Sequence, residues 1–155
     1  LTVNVPKEIQ TLGLQYKDSY SVVRPHVVQA LSMKSYDLVI DFHRDAAKKS
    51  VTTTSYDNLS YARTAFVVGG KHEAYEGNYA YAEMLHHIMN EMVPGISRGI
   101  IKKNDAGSNG IYNQDLARNM ILVELGGIDN TEEELVRTIA VVSRAIAKML
   151  VNEQL

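Results

Sequence analysis

The chain has 155 residues, 45% of them hydrophobic and 22% charged, with a formal net charge of −2. That is the make-up of one globular domain able to bury a core, and its weak acidity offers no basic field to nucleic acid or an anionic membrane. There is no cysteine, which excludes disulfides, thiolate metal sites and cysteine nucleophiles, and neither a spanning apolar run nor a signal-peptide pattern occurs.

In chain order, residues 4–14 predict a short helix, with Pro6 early and Gly13 at its end. "KDSYSVVRPHVVQALSM" predicts a second helix, with Val22, Val23, Val27, Val28 and Leu31 on one stripe and a kink or shortening at Pro25. "DLVIDFH" (37–43) is a continuous β-favouring run, expected as a central strand covered on both faces. "KKSVTTTSYDNLSYARTAFVVGG" predicts two strands joined by a turn at Asp57-Asn58, the second over 62–68.

"NYAYAEMLHHIMNEMV" (78–93) predicts a helix stopped by Pro94-Gly95. "SRGIIKK" is a short strand, "NDAGSNG" (104–110) a loop, and "MILVE" (120–124) a buried strand ended by Gly126-Gly127. The last helix opens on a capping box of Thr131 and Glu134, and Leu135, Ile139, Val142, Ile146 and Met149 recur at helical spacing. Strands alternating with helices imply an α/β fold, a single domain whose central sheet is mostly parallel or mixed and flanked by helices.

Chemistry concentrates in "DFHRDA", where Asp41, His43, Arg44 and Asp45 follow an apolar strand. Open α/β sheets put ligand sites at the carboxyl ends of strands. His43 there reads either as a zinc ligand or as a hydrogen-bonded core histidine. Glu124 ends the apolar run "MILVE" and reads either as a general base facing the same cleft or as an ion pair with Arg44 or Arg98. "YNQDL" (112–116) lines a groove or forms a turn. His86 and His87 are adjacent on a helix, point about 100° apart and cannot easily share one metal. His72 lacks the second histidine of a helical zinc motif, and His26 follows a proline and reads as surface. "VVGGK" lacks phosphate-loop spacing, and no serine-hydrolase elbow occurs.

Three segments, "DFHRDA" (41–46), "GIYNQDL" (110–116) and "ILVELGGIDNTEEEL" (121–135), together resemble the stage II sporulation protein P family, the cell-wall amidases of endospore-forming bacteria. "ARTAFVVGG" and "PGISRGI" fit the same pattern in the same order, so the likeness runs over roughly residues 35–150. More distantly the arrangement is similar to zinc-dependent N-acetylmuramoyl-L-alanine amidases.

The resemblance implies one Zn2+ held by two histidines and a glutamate, with a second glutamate at the attacking water. His43 matches the later zinc histidine and Glu124 the catalytic glutamate, while Arg44, Asp45, Asn113, Gln114 and Asp115 would contact substrate or support the site. It implies hydrolysis of the amide between N-acetylmuramic acid and L-alanine of the stem peptide, in septal wall remodelling during engulfment. The partners would be peptidoglycan and other wall-degrading and membrane proteins of that machinery. The location would be extracytoplasmic, between mother-cell and forespore membranes, with a membrane anchor outside these residues.

The family's first zinc ligands lie in a strand-end His-Thr-His segment that residues 1–155 do not contain. The expectation is therefore an amidase-like domain that starts just after that strand and, by itself, binds zinc weakly and hydrolyses little. The other reading is a non-catalytic peptidoglycan-binding or interaction module.

Overall fold

The computed structural model describes residues 18–152. The chain divides into two compact units, Leu1–Tyr36 and Asp37–Leu155. The helix expected over residues 4–14 lies outside the described residues.

In the first unit, helix α1 (Ser19–Met33) runs through Pro25 without ending there. Proline has no N–H, so the carbonyl of Ser21 loses its usual intrahelical donor, a loss the helix tolerates. None of the helix is buried, including the expected valine stripe.

The second unit is built on a four-stranded mixed sheet. Its strands are β1 (Val39–Asp45), β4 (Thr64–Gly69), β5 (Ser97–Lys103) and β6 (Met120–Gly127), in the order β1-β6-β4-β5. β1 runs parallel to β6, β4 antiparallel to β6, and β4 parallel to β5. A four-residue helix α2 (Lys49–Thr52) leads into a separate hairpin of β2 (Thr53–Tyr56) and β3 (Leu59–Ala62). Its turn lies at Asp57-Asn58, where the dipeptide predicts one, with both residues at positive φ. The second predicted strand is thus two elements. Residues 59–62 return along the hairpin, and Thr64–Gly69 then enters the main sheet.

The interior strands are β6 and β4, and every residue of β4 is buried. β1, expected at the centre, is an edge strand among the described residues, and Phe42 is 51% exposed. Only "LVI" is continuously apolar, and from Asp41 onward burial alternates, so the strand is not covered on both faces.

Helices α3 (Tyr75–Met92) and α4 (Glu132–Asn152) share one core. Ala82, Leu85 and Met89 of α3 join Val141, Val142, Ala145 and Met149 of α4 against Phe66, Val68, Ile121 and Val123 of the sheet. These four strand residues alternate with Val67, Leu122 and Glu124, so both helices cover the same face and leave the other to the polar cluster. The capping box of α4 forms: the Glu134 carboxylate accepts from the N–H of Thr131 at 2.9 Å, and the Thr131 hydroxyl accepts from the N–H of Glu134 at 3.3 Å. Ile139, placed on the core stripe by spacing, is exposed. Thr138 is buried in its stead and donates to the carbonyl of Ala62 at 2.7 Å, because α4 docks along the 134, 138, 141, 145, 149 row.

Candidate functional site

β1 and β6 bring the two candidate residues together. His43 is the register partner of Glu124 in the parallel pair. Asp41 and Asp45, two residues to either side of His43, project from the same face of the strand. The ladder then breaks. His43 pairs with Glu124 but Asp45 pairs with Gly127, so Arg44 alone faces both Leu125 and Gly126. Gly126 has φ +62°, the left-handed backbone that such a bulge requires.

Asp41 and His43 are bonded, with the His43 Nε2 3.0 Å from the Asp41 Oδ2. That bond raises the imidazole above its ordinary pKa; burial opposes it, and the charges of Asp41 and Glu124 add to it. Burial raises the Glu124 carboxyl. The His43 charge opposes this, Asp45 adds to it, Arg98 opposes it, and Asp41 adds to it. The Oε2 of Glu124 is buried and meets no hydrogen-bond partner among the described residues.

Neither expected arginine pairs with Glu124. Arg44, exposed, donates to the carbonyl of Gly127 at 2.6 Å, which seals the bulge. Arg98 instead forms an ion pair with Asp45, whose other oxygen accepts from the N–H of Ala47 at 2.8 Å. Burial pushes the Asp45 carboxyl up, but these two partners outweigh it and hold it below the usual range. Sequence reasoning assigned Arg98 no role of its own. The signal was Gly99 directly after it, since a glycine inside a strand pattern marks a bulge that re-aims its neighbour.

The segment after the glycine-rich loop is locked rather than open. Asn109 Oδ1 accepts from the N–H groups of Ile111 and Tyr112, at 3.0 and 2.7 Å, and Tyr112 and Asn113 both take left-handed backbone. The Gln114 carboxamide is buried and extends the β4 ladder. It accepts from the N–H of Gly69 at 2.9 Å and donates to the carbonyl of Val67 at 2.8 Å. Asn78 of α3 donates to the carbonyls of Ala117 and Met120, both at 2.8 Å. Asn113 is buried, Asp115 is exposed, and burial raises the Tyr112 phenol, which feels the charge of Glu124.

The remaining histidines lie apart from this cluster. His86 packs its Nδ1 2.8 Å from the Ser97 hydroxyl, and His87 beside it is exposed. Both ring nitrogens of His72 are buried without a partner among the described residues. As for a metal, no group of three His, Asp or Glu side chains converges to hold one among the described residues. A catalytic zinc takes three protein ligands. Among the described residues His43, with Asp41 bonded to its ring, is thus a single candidate donor, short of the three such a site takes.

The chain matches the family described as Stage II sporulation protein P (SpoIIP) over residues 2–147. It is 45% identical over 140 residues to the stage II sporulation protein P of Bacillus subtilis (strain 168), a match that covers 88% of this chain and 35% of that relative. The chain thus spans about a third of the length of the curated relative it matches. No solved structure matches it. No helix among the described residues is long and apolar enough to cross a membrane. With the family matched over nearly the whole chain, the chain belongs to the stage II sporulation protein P family.

Proposed function

We propose that this chain carries the reacting face of a zinc-dependent peptidoglycan amidase, which cleaves the amide between N-acetylmuramic acid and the L-alanine of the stem peptide. The observation that carries the reading is the pairing of His43 with a half-buried Glu124 whose carboxyl is raised and whose Oε2 lacks a partner. A general base works best with a pKa near the working pH, and burial moves Glu124 toward that range.

His43 would be one protein ligand of the zinc, with the others supplied from outside the described residues. The metal, when bound, supplies carbonyl polarisation and a water of lowered pKa. The chain's own residues do the rest. Asp41 holds the imidazole of His43 in one orientation and one tautomer. Glu124 takes the proton of the attacking water and passes it to the leaving amine. Asp45, through Arg98, supports the side of the cleft beyond His43.

Membership of a sporulation family supports a role in septal wall remodelling during engulfment. The protein would then act between the mother-cell and forespore membranes, with peptidoglycan and other engulfment proteins as partners and an anchor outside these residues. Muropeptide release from purified sacculi tests the activity. Release that stops with a chelator and in Glu124→Ala is expected; release that resists both would overturn the reading.

A second reading is a non-catalytic peptidoglycan-binding module. It is favoured by the lack of three convergent metal donors among the described residues. It predicts binding to sacculi without release.

A further inference from the structure

β5 carries a bulge that mirrors the one on β6. Thr64 pairs with Ser97 and Phe66 with Ile100, so Ala65 alone faces both Arg98 and Gly99. Gly99 has φ +109°, a conformation reserved for glycine, and a Cβ added there would meet nothing within 4 Å. In plain alternation Arg98 would share the face of Ile100, which packs against the helix core. The extra residue turns Arg98 to the opposite face, where it reaches Asp45. The β6 bulge at Gly126 lies at the matching place beside Asp45. Two irregularities on different strands thus converge on one ion pair next to Glu124.

Only part of Arg98 takes up that pair. Its terminal nitrogen binds Asp45, while its Nε–H is buried and has no partner among the described residues. A buried donor left unpaired is unfavourable. On the other side of Ala65 of β4, Glu124 presents a buried acceptor with the same deficit. The guanidinium of Arg63, which donates to the carbonyl of Gly95 at 2.7 Å, is near enough to feel the charge of Arg98. An orphaned donor and an orphaned acceptor on one face complement a group that carries both an acceptor oxygen and a donor. A peptide amide is such a group.

We infer that Arg98 is a substrate-contacting residue, which donates its Nε–H to the carbonyl oxygen of the ligand's amide while Asp45 holds the guanidinium in place. The assignment deepens the amidase reading and rests on it for the choice of ligand. Asp45 is then a positioning residue, and the two glycine bulges exist to aim the pair. A lysine at position 98 could keep the ion pair with Asp45 but has no second donor fixed at the Nε position.

The test measures affinity, so that it stands apart from hydrolysis. The full-length protein carrying Glu124→Gln is titrated calorimetrically with a soluble muropeptide of one disaccharide and its stem peptide. Arg98→Lys and Arg98→Gln in that background are each expected to weaken binding by about tenfold or more. Arg98→Lys is the safer variant, since it retains the charge opposite Asp45, and equal thermal midpoints confirm that it folds. Unchanged affinity in Arg98→Lys overturns the inference, as does failure of the parent protein to bind the muropeptide. If the parent binds but the Glu124 protein releases nothing from sacculi, the amidase reading falls. The Arg98 comparison still decides the contact.

Discussion

His43 and Glu124 stand side by side on parallel strands, register partners on the one face of the sheet that neither α3 nor α4 covers. Neighbouring strands lie about 4.8 Å apart, so the two side chains share one surface although 81 positions separate them. The arrangement is costly for folding. A carboxyl raised by burial, with an unpaired oxygen, sits where an apolar residue would pack. Glu124→Gln keeps the shape and removes the charge. It is expected to lower muropeptide release by about a hundredfold or more while leaving the thermal midpoint unchanged or raised. A fall in stability together with activity would instead mark Glu124 as structural.

Asp41 acts one step behind His43. Its carboxylate is bonded to the ring at 3.0 Å. Partners of this kind orient a ligating histidine, and their loss lowers metal affinity about 10- to 100-fold. Asp41→Asn in the full-length protein is expected to weaken zinc binding within that range, read by competition with a chromogenic chelator. Unaltered zinc affinity would leave Asp41 a bystander.

The placement of these residues was partly legible in the sequence. "MILVE" announced a buried strand and "DLVIDFH" a strand, though not its exposed edge position, and the α/β pattern led to the expectation of a ligand site near strand ends. The capping box at Thr131 and the turn at Asp57-Asn58 were readable because local chemistry alone decides them. Strand order was not. Whether β1 or β4 lies in the interior depends on pairing between distant segments, and "LVIDF" carries no mark that separates an edge from a core strand until the sheet exists. The Asp45–Arg98 pair was hidden for the same reason. An ion pair of Glu124 with Arg44 or Arg98 was one of two readings, and the β5 bulge, invisible to simple alternation, turns Arg98 toward Asp45 instead.

Gly126 should be intolerant of any side chain. Its φ of +62° is left-handed, and an added Cβ would lie 2.9 Å from both the Ala62 Cβ and the Asn130 Oδ1. Gly126→Ala therefore combines backbone strain with a clash in a packed corner, each worth on the order of 1 kcal/mol or more. Urea unfolding should show a midpoint shift without a change in slope. By contrast, a Cβ at Gly99 meets nothing, so only the strain of its φ of +109° applies there.

His86 makes stability depend on mildly acidic pH. Its Nδ1 receives the Asn90 amide at 3.1 Å and lies 2.8 Å from the Ser97 hydroxyl, so that nitrogen serves as an acceptor and the neutral ring is favoured. Burial lowers its pKa below the usual 6.5, the charge of His87 adds to this, and Glu83 opposes it. A histidine with a lowered folded pKa contributes stability that is fully present above about 6.5 and is lost as pH falls toward its folded value. His86→Gln should flatten that part of the stability–pH curve, measured by thermal unfolding between neutral and mildly acidic buffers.

Glu134 governs the acid limb. Its carboxylate binds Lys49 at 2.9 Å, Asn130 at 2.9 Å and the N–H of Thr131 at 2.9 Å, and it is buried at the start of α4. Burial alone would raise its pKa, but the bonds from Asn130, Lys49 and Thr131 outweigh it and bring the carboxyl from 4.5 down to about 2. The folded pKa is the lower one, so the contribution is complete above 4.5 and disappears as pH falls from there through about 2. At 1.36 kcal/mol per pKa unit this amounts to roughly 3 kcal/mol. Glu134→Gln is expected to remove about that much stability at neutral pH and little below pH about 2, so that the two proteins' unfolding midpoints converge in acid. Midpoints that stay apart by the same interval across that range would show that Glu134 stabilises α4 by packing rather than by charge.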